Sequence, residues 1–192
     1  MKNIFTLIAI TLLFSLHAEN FQLENGNIDG YRIISEDAGS LTAEFGIGGF
    51  SYNVEKTEKG NFISLSIDKG YLTRIEGSPA LPTLRNLIAM PYGSSPEIEV
   101  ISFETTKYKL SELGINYPII PAQPSYSKSS KPEERKFIYN ESAYLSSKFN
   151  ESPIASVSKS GTMRGIGIGS IVIEPFRYNP VSGEIKIGRA HV

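Results

Sequence analysis

The chain has 192 residues, with 19 Lys and Arg against 20 Asp and Glu, two histidines and no cysteine. A formal charge of −1 provides no electrostatic attraction to nucleic acid or to anionic lipid. His17 and His191 lie at the two ends, so residues 19–186 contain neither His nor Cys, which excludes a Ser-His-Asp triad, a Cys-His pair and a thiolate or imidazole metal site there.

The N-terminus reads as a secretion signal. Lys2 precedes an apolar run over residues 4–16, and Ala18 offers a small residue for cleavage before Glu19. About 13 apolar residues fall short of the ~20 needed to span a bilayer, and no later run is long enough. Residues 1–18 are therefore assigned to a signal peptide, cleaved after Ala18, and the rest to a secreted or cell-surface protein passing through the periplasm with no stable membrane span.

From residue 19 onward, period-two alternation dominates. Leu41, Ala43 and Phe45 form one set, Phe50, Tyr52 and Val54 a second, and Ile63, Leu65 and Ile67 a third. Late in the chain Ile166 and Ile168 give way to Ile171 and Ile173, a slip in phase that predicts a bulge near Gly169 and Ser170. Turn residues separate these strands, at Gly46 to Gly49, Lys59-Gly60-Asn61, Asp68-Lys69-Gly70, Pro91-Tyr92-Gly93 and Asn179-Pro180 through Gly183. The fold class is all-β, an antiparallel β-sandwich, jelly-roll-like or barrel-like, with long loops. Only residues 108–113 and 141–147 could be helical, each briefly. The Gly165, Gly167 and Gly169 run lacks both the spacing and the following helix of a dinucleotide loop, and reads as a strand approached closely by its neighbours.

Residues 121–136, PAQPSYSKSSKPEERK, have no apolar period and predict a long exposed loop displaying Lys128, Lys131, Arg135 and Lys136. Glu133 and Glu134 within it are adjacent, point to different sides and stand among cations, so a solvated loop outweighs a glycosidase dyad. The sequons at Asn140 and Asn150 indicate exposure. The last six residues, Ile187 through Val192, spell what a common sequencing adapter encodes in one frame. Residues 187–192 are read as foreign and residues 19–186 as the domain, the alternative being a β-strand that simply ends in this way. Removing Lys2 and Arg189 leaves 17 basic residues against 20 acidic, a charge of −3.

Four blocks resemble the N-terminal propeptide of the gingipain family of secreted cysteine peptidases. They are Gly77, Pro79, Leu81 and Pro82 leading to Pro91 and Gly93; Pro121, Gln123 and Pro124; Tyr139, Asn140 and Tyr144; and Gly161 and Arg164 running to Pro175, Tyr178, Asn179, Pro180 and Gly183. The resemblance implies a non-catalytic β-sandwich prodomain, without cofactor or metal, that precedes a caspase-like catalytic domain carrying a His-Cys dyad. The catalytic domain of its own precursor is then its partner. Such a prodomain assists folding, caps the active site until proteolysis removes it and accompanies export. In Arg- and Lys-specific members a prodomain loop presents a basic residue to the specificity pocket. By that resemblance Arg135 is the first candidate, Lys131 the second, with Lys128 and Lys136 beside them.

The alternative is a secreted β-sandwich binding or adhesion module, in which exposed tyrosines such as Tyr117, Tyr126 and Tyr144 would contact carbohydrate or protein.

Overall fold

The computed structural model describes residues 19–23, 30–129, 131 and 135–192. The expected leader, residues 1–18, and the Glu133-Glu134 pair lie outside the described residues. No helix among the described residues is long and apolar enough to cross a membrane.

The described chain is all-β. Strands β1 (Glu19–Gln22), β4 (Gly49–Thr57) and β5 (Gly60–Ser66) form a three-stranded antiparallel sheet in the order β1-β4-β5. A second sheet has the order β6 (Tyr71–Leu72), β7 (Pro82–Met90), β10 (Ile166–Ile173), β9 (Ala155–Met163). In the third, β11 (Phe176–Asn179), β12 (Glu184–His191), β3 (Leu41–Gly46) and β2 (Gly30–Glu36) follow one another, and β8 (Ser102–Lys109) pairs with β12. The two short helical pieces are a single 3-10 turn, Leu110–Leu113, and α1, Glu141–Tyr144.

One core joins these sheets. The alternating residues Ala43 and Phe45, Phe50 and Tyr52, Ile63 and Leu65 point into it, together with Ile171, Ile173, Phe176 and Ile185. Val54 departs from the expected pattern: it is 45% exposed, beyond the point where β4 leaves the core.

The predicted phase slip in β10 is corrected. The strand keeps one phase, with Gly167, Gly169, Ile171 and Ile173 buried, while Ile166 faces outward at 50% exposure. The irregularity expected near Gly169 is present as a register shift between Ile168 and Gly169, and it sets Ser160 of β9 outside the ladder. Glycine faces inward because its neighbours occupy the space: a Cβ on Gly169 would stand 2.7 Å from Met90 Sδ and 3.0 Å from Ile88 Cγ1.

Residues 187–192, read from the sequence as foreign, continue a strand in the structure. Strand β12 continues through His191, pairing with β8 along its whole length, from Glu184↔Lys109 to His191↔Ser102. On its other edge it meets β11 from Glu184 to Ile187 and then β3 at Ala190 and His191. Ile187, Ala190 and Val192 are buried, and Val192 and Ala43 exchange backbone hydrogen bonds of 2.9 and 2.7 Å. Gly188 lies beneath the Phe103 ring, where a Cβ would come within 2.3 Å of ring carbons. Residues 187–192 thus belong to the fold and supply part of its core. The apolar-small-apolar order of Ile187, Gly188 and Ala190 suits a strand flanked on both edges.

Candidate functional site

The four sequence blocks, separate along the chain, converge mostly on one place. Gly77, at φ +77°, has a conformation that glycine adopts without strain. Its N–H donates to the Ala122 carbonyl (2.8 Å), and its own carbonyl accepts from Asn140 N–H (3.0 Å). Ala122 N–H donates to Ser78 O (2.8 Å), and Ala80 N–H to Ile120 O (2.8 Å). Pro79 bridges Pro121, and Pro82 and Leu81 are buried beneath. Prolines suit these positions because an isolated bridge asks little of their missing N–H.

Above this crossing rises the segment from Gln123 to Ile138, which carries Lys128, Lys131, Arg135 and Lys136, all exposed. The expectation of exposure throughout residues 121–136 is corrected at its first two positions, since Pro121 and Ala122 are buried in bridges to residues 76–79. The Gln123 side chain joins the two arms. Its Oε1 accepts from Ile138 N–H (2.9 Å) and its Nε2 donates to Ile138 O (2.8 Å) and Pro121 O (3.0 Å). Higher up, the Tyr126 hydroxyl donates to Lys136 O (2.7 Å).

A cluster of aromatic side chains lies below. Tyr139 stacks on Tyr144 at 4.5 Å, and Phe62 meets Phe137, Tyr139 and Tyr144 at 5.9 to 6.2 Å. Tyr144, expected exposed in the adhesion reading, is buried, and its hydroxyl donates to Ile119 O at 2.6 Å. Asn140 places it there by capping α1, its Oδ1 accepting from Ala143 N–H (3.3 Å). Burial raises the Tyr144 hydroxyl far above the ordinary phenol value, and Tyr139 and Tyr178 add to this. Burial likewise pushes Tyr178 up to about 12, against a hydrogen bond from the Ile119 backbone. The Ile119 backbone is therefore held by two tyrosines, and both hydroxyls keep their protons near neutral pH.

After α1 the chain runs without regular structure to β9, held by side chains that substitute for a ladder. Asn150 Oδ1 accepts from Tyr178 N–H (2.8 Å), Asn179 Nδ2 donates to Ser147 O (2.7 Å), and Arg177 donates to the carbonyls of Ser152 (2.8 Å), Glu174 (3.1 Å) and Phe176 (3.0 Å). The amide of the Asn150 sequon is thus engaged within the fold. Asn179 Oδ1 also accepts from Val181 and Ser182 N–H, and with Gly183 at φ +64° it turns the chain into β12 beside Pro175 and Pro180.

The remaining motif residues lie elsewhere. Pro91 and Gly93 form the turn after β7, and Gly161 and Arg164 belong to the β9–β10 hairpin, at the far end of the second sheet from Pro82. Among the described residues, no group of three or more His, Cys, Asp or Glu stands close enough to hold a metal ion. What the sequence reading missed was the role of Gln123. The sequence signal was its place in the Pro121, Gln123 and Pro124 block, at the mouth of a loop without apolar period, which gives no hint of its hydrogen bonds.

The sequence model of the Propeptide_C25 family matches residues 23–190. Lys-gingipain HG66 of Porphyromonas gingivalis is 33% identical over 189 residues, covering 97% of this chain and 11% of that protein. Lys-gingipain of strain ATCC 33277 is 39% identical over 143 residues, covering 72% of this chain and 8% of that protein. The chain thus spans about a tenth of the length of these relatives. A solved structure reported for the zymogenic latency of gingipain K from the same organism superposes with a TM-score of 0.82 at 30% identity, covering 91% of this chain and 97% of that one. A complex of the P. gingivalis RgpB pro- and mature domains shares the fold, with a TM-score of 0.69 at 22% identity over 84% of this chain and 82% of that one.

Proposed function

Since the chain belongs to the Propeptide_C25 family, a family of gingipain propeptides, we propose that it serves a gingipain-like cysteine endopeptidase precursor as intramolecular folding assistant and active-site inhibitor until proteolysis removes it. Its partner is then the catalytic domain of that precursor, and the leader over residues 1–18 directs both to the cell surface or beyond.

The observation that supports this most is the basic loop on its fixed neck. Four exposed cations, Lys128, Lys131, Arg135 and Lys136, lie on a segment whose ends are tied by backbone bonds to the stretch at residues 76–80. A binding loop gains when its ordering entropy is spent before the partner arrives. One of the four enters an acidic, water-excluded specificity pocket, with Arg135 favoured for its planar fork and Lys131 second.

The test is inhibition of purified Lys-gingipain by the full chain. Arg135→Ala or Lys131→Ala is expected to weaken it by about thirtyfold, the size of a hot-spot contact worth roughly 2 kcal/mol. Unchanged inhibition by both single variants and by the double variant would remove the loop from the mechanism.

A further inference from the structure

We infer that Gln123 and Tyr126 staple the neck of the basic loop so that a peptidase engaging it is held rather than supplied with a substrate; this rests on the inhibitory reading above. An exposed loop rich in Lys and Arg is, on composition, a good substrate for a peptidase with basic specificity. What separates an inhibitor from a substrate is whether the two sides of the attacked bond can move apart.

Here they are tied at three levels. Gln123 makes to Ile138 the same pair of bonds, one accepted at 2.9 Å and one donated at 2.8 Å, that opposed residues exchange in an antiparallel ladder. Tyr126 ties the arms again through Lys136 O at 2.7 Å. Underneath, both arms bond the same residue, Gly77, one through Ala122 O and the other through Asn140 N–H. Lys128, Lys131 and Arg135 all lie between the Tyr126 and Lys136 attachment points.

Cleavage adds water across one peptide bond. The water oxygen bonds to the carbonyl carbon, the C–N bond breaks, and the freed nitrogen takes the proton. With both arms stapled, the new carboxylate and amine stay near each other, so resealing competes with release. Gln123 and Tyr126 are positioning residues in this account, since neither touches the peptidase.

The experiment mixes the full 192-residue chain, wild type or variant, with purified Lys-gingipain. It records initial inhibition, recovery of activity over hours, loop cleavage by mass spectrometry, and Tm. Gln123→Ala should leave initial inhibition within about twofold and Tm within about 2 °C, yet speed loop cleavage and recovery by about tenfold, as expected for losing the two hydrogen bonds that cross between the arms. Gln123→Glu, which keeps the acceptor and loses the donor, should fall between. Tyr126→Phe should show a smaller effect in the same direction, and it provides the comparison if Gln123→Ala does not fold. The inference is overturned if the variants persist as inhibitors as long as the wild type, or if inhibition and Tm fall together. Wild-type chain that fails to inhibit removes the inhibitory reading and this inference with it; a normal wild type beside unaltered Gln123 and Tyr126 variants removes this inference alone.

Discussion

Replacing Tyr144 with Phe isolates one atom beneath the loop. The ring stays, so its stack on Tyr139 at 4.5 Å and its edge contact with Phe62 at 6.2 Å are kept, and only the hydroxyl that donates to Ile119 O at 2.6 Å is lost. Ile119 is fully buried and sits where its neighbours are zipped to β5, Ile63 N–H to Pro118 O at 2.8 Å and Ile120 N–H to Ile63 O at 2.7 Å. A carbonyl left unpaired there costs about 1–3 kcal/mol, and for a domain of this size each kcal/mol lowers Tm by roughly 2–4 °C. Tyr144→Phe should therefore melt about 2–12 °C lower at pH 7.5. The alkaline limb provides a second reading. A tyrosine whose hydroxyl is raised above its unfolded value near 10 stays protonated in the fold while the unfolded chain ionises. Its contribution is fully present below pH 10 and declines above it, by about 1.4 kcal/mol per pH unit for each such residue. Wild type should thus lose stability between pH 10 and 12 through Tyr144, Tyr178 and Tyr139, and the variant without the Tyr144 share. Differential scanning calorimetry across pH 7.5 to 11.5 measures both effects. An unchanged Tm at pH 7.5 together with an unchanged alkaline slope would refute the account of the tyrosine pair.

Other perturbations follow from the same geometry. Gly188→Val places its side chain against the Phe103 ring and should lower stability by about 2–3 kcal/mol, the range for overpacking, in a urea titration. The milder Gly188→Ala should lie between it and wild type; a Val variant as stable as wild type would show that β8 can shift freely. Arg177→Lys keeps the charge but loses the fork that reaches three carbonyls, and should cost about 1–3 kcal/mol in the same titration. Hydrogen exchange should localise the loosening to residues 147–154. Asn150→Ala frees the Tyr178 N–H and should loosen the same segment, while Asn140→Ala should fray α1 and leave residues 147–154 protected.

Much of the fold could be read because strands declare themselves through alternation. Leu65, Phe50 and Ala43 stand where period two puts them, and glycine marks the turns at Gly60 and Gly183. The basic loop was visible for the opposite reason, as it lacks any period. Three things were hidden by the nature of the signal. In β10, alternation of isoleucine misled because the inward positions are glycines filled by Met90 and Ile88 from the neighbouring strand, a fact held in the pairing rather than in the strand itself. In β12, the last six residues spell an adapter-encoded tail, and nothing in that match shows that Gly188 leaves room for the Phe103 ring or that Ala190 pairs with Phe45. At the neck, Gln123 and Asn150 act as pieces of backbone, and composition has no means of distinguishing a side chain that completes a ladder from one that is solvated.

The position of β12 has a bearing on how the chain is made. Its partner β8 lies 77 to 85 residues earlier, as the Lys107–Glu184 and Arg189–Glu104 ion pairs measure. At 5–20 residues per second of synthesis, β8 emerges roughly 4–17 s before the strand that completes it. During that interval β3 and β8 present open edges that only β12 joins. A nascent chain in this state is both available to an export apparatus that takes unfolded substrates and exposed to edge-to-edge association. The domain is in effect locked by β12, so its folding waits on the one segment that joins β3, β8 and β11.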